Sequence, residues 1–253
     1  MSDTLNAKED VEILADKDPG VGLPGRVYLP GYSRTMGPQS HLFAERERLQ
    51  SLTWEYFDVR QLSPTIGAEL VGVNISQELP DEVVSEIQQA LWDYKVIFFR
   101  NQEITSEEQI RFAQRFGELE IHPFLPPNTE TPELVRFEKN ANAAGYENQW
   151  HHDVTWRETP SQGAILRAIE IPPIGGDTLF VDANAAYEGL TQEMKDEIDS
   201  LNAVHDFLRA FGRQVPKEKL AEMREMYPLV KHPVVINHHQ TGKPLLYVNR
   251  IFV

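Results

Sequence analysis

Cysteine is absent from this chain of 253 residues. Without a thiol there is no disulfide, no zinc–thiolate or iron–sulfur site and no thiol nucleophile. That suits a reducing cytoplasm, the compartment expected here. Long apolar runs are missing too. None approaches the ~18–20 residues needed to cross a bilayer, and Met1 to Asp18 lacks the charged-then-apolar pattern of a secretory signal, so no membrane partner is expected. Basic residues are scarce: 24 Lys and Arg stand against 39 Asp and Glu, a formal net charge of −15. No run of bases makes a groove, so no nucleic-acid partner is expected either. There is no GxGxxG or P-loop pattern to cradle a phosphate. No serine sits in a Gly-x-Ser-x-Gly elbow. Chemistry must rest on His, carboxylates, hydroxyls and backbone.

What is present reads as a folded chain, 41% hydrophobic and 25% charged, able to bury roughly 70–75% of its unfolded surface. Residues 1–53 are expected to form an extended or disordered N-terminal arm, punctuated by Gly20, Gly22, Pro24, Gly25, Pro30, Gly31 and Pro38, with a short helix at Phe43–Leu52. Residues 54–253 are the globular part. Strands are expected at Tyr56–Leu62 and Ala68–Ile75, around a turn at Ser63-Pro64 with Gly67 after it. Pro80 opens a helix with Val83, Val84, Ile87, Leu91 and Tyr94 on one face, followed by a short strand Val96–Phe99. Thr105 and Glu108 make a capping box for a second helix, with Ile110, Ala113 and Phe116 inward and Gly117 closing it. Further strands are expected at Leu134–Glu138, Gly163–Ile171, Thr178–Val181, Pro233–Asn237 and Leu245–Val253, with helices at Thr191–Leu201 and Lys217–Met226. Two helices ahead of many short strands predict an α+β, mainly β protein built on a β-sandwich or jelly roll. The final apolar run, ending at Val253, reads as a strand cut short, so the sequence is expected to be incomplete at its C-terminus.

The densest cluster of metal-capable side chains is Trp150-His151-His152-Asp153-Val154-Thr155-Trp156. In an extended segment residues i and i+2 point the same way, so His151 and Asp153 can meet one ion while His152 faces away. One imidazole and one carboxylate are two thirds of a 2-His-1-carboxylate facial triad, which leaves positions open on Fe(II) for a chelating co-substrate and O2. The spacing alone is equally that of a loop histidine bonded to a nearby carboxylate.

The company this run keeps is more specific. Thr159-Pro160, Gly163-Ala164-Ile165-Leu166 and Gly175-Gly176-Asp177-Thr178-Leu179-Phe180 follow it. Phe116-Gly117-Glu118-Leu119 and Ile121-His122-Pro123 precede it. Ala186-Tyr187-Glu188, His205-Asp206-Phe207, His232-Pro233-Val234-Val235 and Tyr247-Val248-Asn249 come after. Together they resemble the taurine-dioxygenase-like (TauD/TfdA) family of Fe(II)- and 2-oxoglutarate-dependent dioxygenases, in family order from about Leu62 to the last residue.

The resemblance implies a double-stranded β-helix, or jelly roll, with flanking helices. It makes His151 and Asp153 iron ligands, and gives Thr178 a hydrogen bond to the 2-oxoglutarate carboxylate. His122 would meet a sulfonate or sulfate group, while Val154 and Phe211 would wall the substrate pocket. Partners would be O2, a small anionic organosulfur substrate and further copies of the chain in a homo-oligomer. Products would be succinate and CO2, with sulfite or sulfate.

There are departures from the family pattern. The family's second iron histidine and its 2-oxoglutarate arginine lie beyond Val253, and His232, His238 and His239 are poor substitutes, so the chain by itself is expected to be poorly active or inactive. Where taurine-specific members place a Tyr and an Asn, this sequence has Leu125 and Glu147, which points away from taurine itself. Two rivals stay open: a catalytically inactive jelly-roll protein that binds an anion at His122, and a zinc hydrolase.

Overall fold

The computed structural model describes residues 39–122, 130–139, 149–213 and 215–253. Leu125 and Glu147 lie outside them. Helix α1 spans Ser40–Gln50, three residues ahead of the expected start. It docks through its buried Leu49 and through ions: Arg48 donates to Asp93 at 2.7 Å, while Glu45 accepts from Lys95 at 3.0 Å and from Lys243 at 2.8 Å.

Strands β1 (Asp58–Gln61) and β2 (Ala68–Val71) form the expected hairpin, paired antiparallel from Asp58↔Val71 to Gln61↔Ala68. Gly67 makes the return at φ 90°, where a side chain would be strained. Helix α2 (Asp81–Tyr94) begins just after Pro80, with Asp81 and Glu82 complementing the positive end of the helix dipole. Its buried stripe is Val84, Ile87, Ala90 and Tyr94. The helix is also the crossover that lets β3 (Ile97–Phe98) lie parallel to β2. Helix α3 (Ser106–Gln114) carries the expected capping box in both directions, Glu108 N to Thr105 Oγ1 and Thr105 N to Glu108 Oε2. Its inward face is rotated from the expected one. Gln109 and Phe112 are buried, while Ile110, Ala113 and Phe116 are half-buried, because Phe112 wedges edge-on between Phe99 and Phe116. These elements share a core that includes Leu49, Phe57, Leu70, Ile87, Tyr94 and Phe112.

The second half contains α4 (Ala183–Glu188), α5 (Gln192–Ile198), β4 (Asn202–His205) and α6 (Phe207–Phe211). A 3-10 turn at Lys217–Lys219 then leads into α7 (Leu220–Met226), followed by β5 (Val230–Pro233), β6 (Val235–Asn237) and β7 (Pro244–Leu246). β4 pairs antiparallel with β5, and β6 with β7. The expected strand Pro233–Asn237 is therefore two strands with different partners. The change falls at Val234, whose N–H goes to Leu201 O and whose carbonyl accepts from Tyr247 N. The expected strand Leu245–Val253 stops at Leu246. Asn249 Oδ1 accepts from Ile251 N and Phe252 N, an Asx-type turn that puts Phe252 into the interior.

Three expected strands are not formed. Leu134–Glu138, Gly163–Ile171 and Thr178–Val181 have no ladder partner among the described residues, and every residue from 161 to 181 is exposed. Alternating apolar residues favour a strand only when a neighbouring strand satisfies their backbone. The described strands make one three-stranded and two two-stranded sheets, a mixed α and β architecture without a closed barrel. Among the described residues no helix is long and apolar enough to cross a membrane.

Candidate metal centre

The site grows out of the second core, formed by Val154, Trp156, Phe207 and Phe252, with Phe211 and Tyr227 packed against it. Trp156 stands edge-on to Tyr227 at 4.9 Å. Val154, Thr155 and Trp156 are buried in succession, while Trp150, His151 and Asp153 before them are exposed. No strand forms here and the chain turns from Asp153, yet the expected meeting of side chains occurs: His151 Nε2 is 3.3 Å from Asp153 Oδ1. His151 Nδ1 is anchored on Gln149 O at 2.9 Å. A carbonyl can only accept, so Nδ1 carries a proton and donates to Gln149 O. His152 faces the other way, its ring 5.2 Å from Tyr247. Burial holds its pKa below the usual value.

The hydrogen bond from His151, aided by the charges of His151, His122 and His152, outweighs burial and keeps the Asp153 carboxyl below its ordinary range. A metal requires the carboxylate ionised and a ring nitrogen free of its proton, so an ion bound here would displace the proton that His151 Nε2 presents to Asp153. Two ligands bound cis at about 2.0–2.2 Å lie about 3 Å apart, so the observed separation fits one ion held by both. Among the described residues no group of three or more His, Asp or Glu is placed to hold a metal. The structure thus brings together two side chains that could serve as metal donors. His232 is committed elsewhere, and His238 accepts from Thr241 N in the β6–β7 turn.

His122 lies against Phe211, ring centroids 5.6 Å apart. Burial, with Arg157 nearby, lowers its pKa against the opposing pull of Glu120 and Asp153. Arg157 bridges to Glu120 at 2.7 Å, tying the 151–157 segment to the stretch that carries His122. Five predicted residues, His122, His151, Asp153, Val154 and Phe211, thereby gather at one end of the second core. Thr178 is not brought to them: it is exposed, and no hydrogen bond or ion pair links it to the pair among the described residues. Cavities of about 310 and 440 Å³ flank α1 instead, and neither is lined by His151 or Asp153.

Sequence reasoning missed the support behind the pair. Val154 has φ 56°, a left-handed backbone that costs a β-branched residue about 1–3 kcal/mol. Thr155 next to it is fully buried, 2.9 Å from His205 Nδ1 through its hydroxyl. His205 is itself buried, and its pKa is pushed down to about 4 by burial and by His232 and His152. Thr155, His205 and Asn249 all stand in the motifs quoted above, but nothing in the sequence says that they touch.

An imidazole–carboxylate pair on a turn, backed by an aromatic core and flanked by a histidine over a phenyl ring, makes a candidate metal site. The family model for taurine catabolism dioxygenase TauD, TfdA matches residues 58–253, and the chain belongs to that family. It is 35% identical over 206 residues to an alkylsulfatase of Acinetobacter baylyi, covering 78% of this chain and 64% of the relative. It is 35% identical over 207 residues to an alpha-ketoglutarate-dependent sulfate ester dioxygenase of Pseudomonas putida, with coverages of 77% and 68%. A solved taurine dioxygenase from Burkholderia xenovorans superposes with a TM-score of 0.65 at 34% identity, over 78% of this chain and 65% of that one. The chain spans about two thirds of the length of these relatives.

Proposed function

We propose that this chain carries the metal and substrate face of an Fe(II)- and 2-oxoglutarate-dependent dioxygenase acting on small organosulfur anions, with alkyl sulfate esters preferred over sulfonates. The observation that carries the reading is the 3.3 Å approach of His151 Nε2 to Asp153 Oδ1 inside a chain of this family. The preference for esters follows the two relatives at 35% identity, named for sulfate ester chemistry. Relatives named as enzymes also favour turnover over the inactive anion-binding alternative. A jelly roll completed around the described strands is part of the same proposal.

In this reading His151 and Asp153 hold the metal, Thr178 meets the 2-oxoglutarate carboxylate, and His122 donates a hydrogen bond to the sulfate. Bound Fe(II) supplies the redox chemistry that couples oxidation of 2-oxoglutarate by O2, giving succinate and CO2, to hydroxylation of substrate. Kept neutral by burial, His122 reads the anion by hydrogen bond and needs no countercharge. Phe211 and Val154 wall off water beside the carbon to be hydroxylated. Hydroxylation of the carbon bearing the ester oxygen gives an adduct that collapses to an aldehyde and inorganic sulfate.

The test supplies the chain with Fe(II), ascorbate, 2-oxoglutarate and a medium-chain alkyl sulfate, and measures succinate and sulfate. Equal amounts of both are expected, with neither formed without oxygen or in His151→Ala. Sulfate release that persists without oxygen would sink the proposal in favour of a hydrolase. Absence of both products with the intact chain would remove turnover as its function.

A further inference from the structure

Asp153 is followed by a residue ill suited to its backbone. Val154 is β-branched and left-handed at φ 56°, and within the turn it gains one hydrogen bond, Arg157 N to its carbonyl at 3.0 Å. The reinforcement comes from the next position. Thr155 Oγ1 lies 2.9 Å from His205 Nδ1 and accepts from Asn249 Nδ2 at 3.3 Å. Its carbonyl lies 2.9 Å from His232 Nε2, which is also 3.0 Å from Arg157 O. Both partners are carbonyls, so that nitrogen carries the proton and donates to both. His205 and His232 project from the paired strands β4 and β5, with ring centroids 5.0 Å apart. Asn249 is pinned by Ile251 N and Phe252 N. Three elements remote in sequence therefore converge on one threonine, on both its side chain and its backbone.

We propose that Thr155, clamped by His205, His232 and Asn249, is a positioning residue that holds Val154 left-handed and so sets the Asp153 carboxylate against His151. The metal-binding consequence rests on the function proposed above; the backbone consequence does not. A buried polar cluster that merely stabilised the fold would act on the whole domain. This clamp acts on residues 153–157.

Two readouts separate these cases: hydrogen–deuterium exchange of the 153–157 amides in the metal-free chain, and Mn(II) affinity by electron paramagnetic resonance. Thr155→Val keeps the shape but removes the hydroxyl, and should raise local exchange and weaken Mn(II) binding by roughly tenfold each. Thr155→Ser, which keeps the hydroxyl, should stay within about threefold of wild type, the conservative rescue expected of a hydrogen-bonding role. Adding Val154→Gly to Thr155→Val should recover much of the loss, because glycine takes positive φ without strain. Should Thr155→Val fail to fold, His232→Leu against His232→Gln, which retains an N–H donor, repeats the comparison. Equal losses in the Val and Ser variants, or no change at 153–157, would overturn the proposal. If wild type binds no Mn(II) while exchange follows the expected order, the metal reading fails and the clamp stands. If Mn(II) binds well in every variant and exchange never changes, the clamp fails and the metal reading stands.

Discussion

His151 Nε2 and Asp153 Oδ1 face each other at 3.3 Å across a single intervening residue that points elsewhere. Breaking either side should abolish metal binding. His151→Ala and Asp153→Asn are both expected to lower Mn(II) affinity at least a hundredfold, since each leaves a single protein donor among the described residues. Asp153→Asn is the sharper test, because it keeps the volume and removes only the charge. Titration calorimetry with Mn(II) measures both.

The neutral His122 ring predicts a specific kinetic pattern. If it donates one hydrogen bond to a sulfate oxygen, His122→Ala should raise KM for an alkyl sulfate about tenfold, corresponding to roughly 1–2 kcal/mol for a hydrogen bond to a charged group. The value of kcat should change much less. A kcat loss with unchanged KM would place His122 outside the substrate site.

Glu45 predicts a pH dependence of stability. Burial alone would raise its pKa, but hydrogen bonds from Arg48, Lys243 and Lys95 together hold its carboxyl well below the usual carboxylate range. A depressed carboxylate contributes stability that is fully present above its unfolded pKa, about 4.3, and that is lost progressively as pH falls below it. Glu45→Gln should therefore destabilise the chain at pH 7 by about 2–3 kcal/mol, and its difference from wild type should shrink as pH drops below about 4. Urea titrations at several pH values give the curve. A constant difference across that range would show that the three cations do not depend on the charge.

Arg224 grips Asp206 with two nitrogens, each at 2.9 Å, while Asp206 also accepts from Leu208 N as the cap of α6. Arg224→Lys keeps the charge but cannot reproduce the two-point contact. It should cost about 1–2 kcal/mol, nearly as much as Arg224→Ala. Thermal melts of both variants check this, and full rescue by Lys would mean that charge alone matters.

The sequence was most legible where structure is local. Thr105 and Glu108 marked a helix start because a capping box satisfies two amides within four residues. Pro80 marked another. The His151–Asp153 pair was legible too, since only one residue separates the partners. The strands Gly163–Ile171 and Thr178–Val181 misled, because an apolar alternation states a preference and a ladder needs a second strand. In α3 the period was right but the face was rotated, since the positions of Phe99 and Phe116 decide which residues turn inward.

By itself the sequence determined the absence of thiol chemistry, the acidic character, the caps and turns, and the pairing of His151 with Asp153. Each depends on residue type or on spacings within one turn of chain. Tertiary structure alone decided that Thr155 meets His205, His232 and Asn249, between 50 and 94 positions away, and that Glu45 gathers Lys95 and Lys243. Such contacts follow from how whole elements pack. A buried hydroxyl or carboxylate takes whatever partner that packing delivers, and no local pattern records which one it will be.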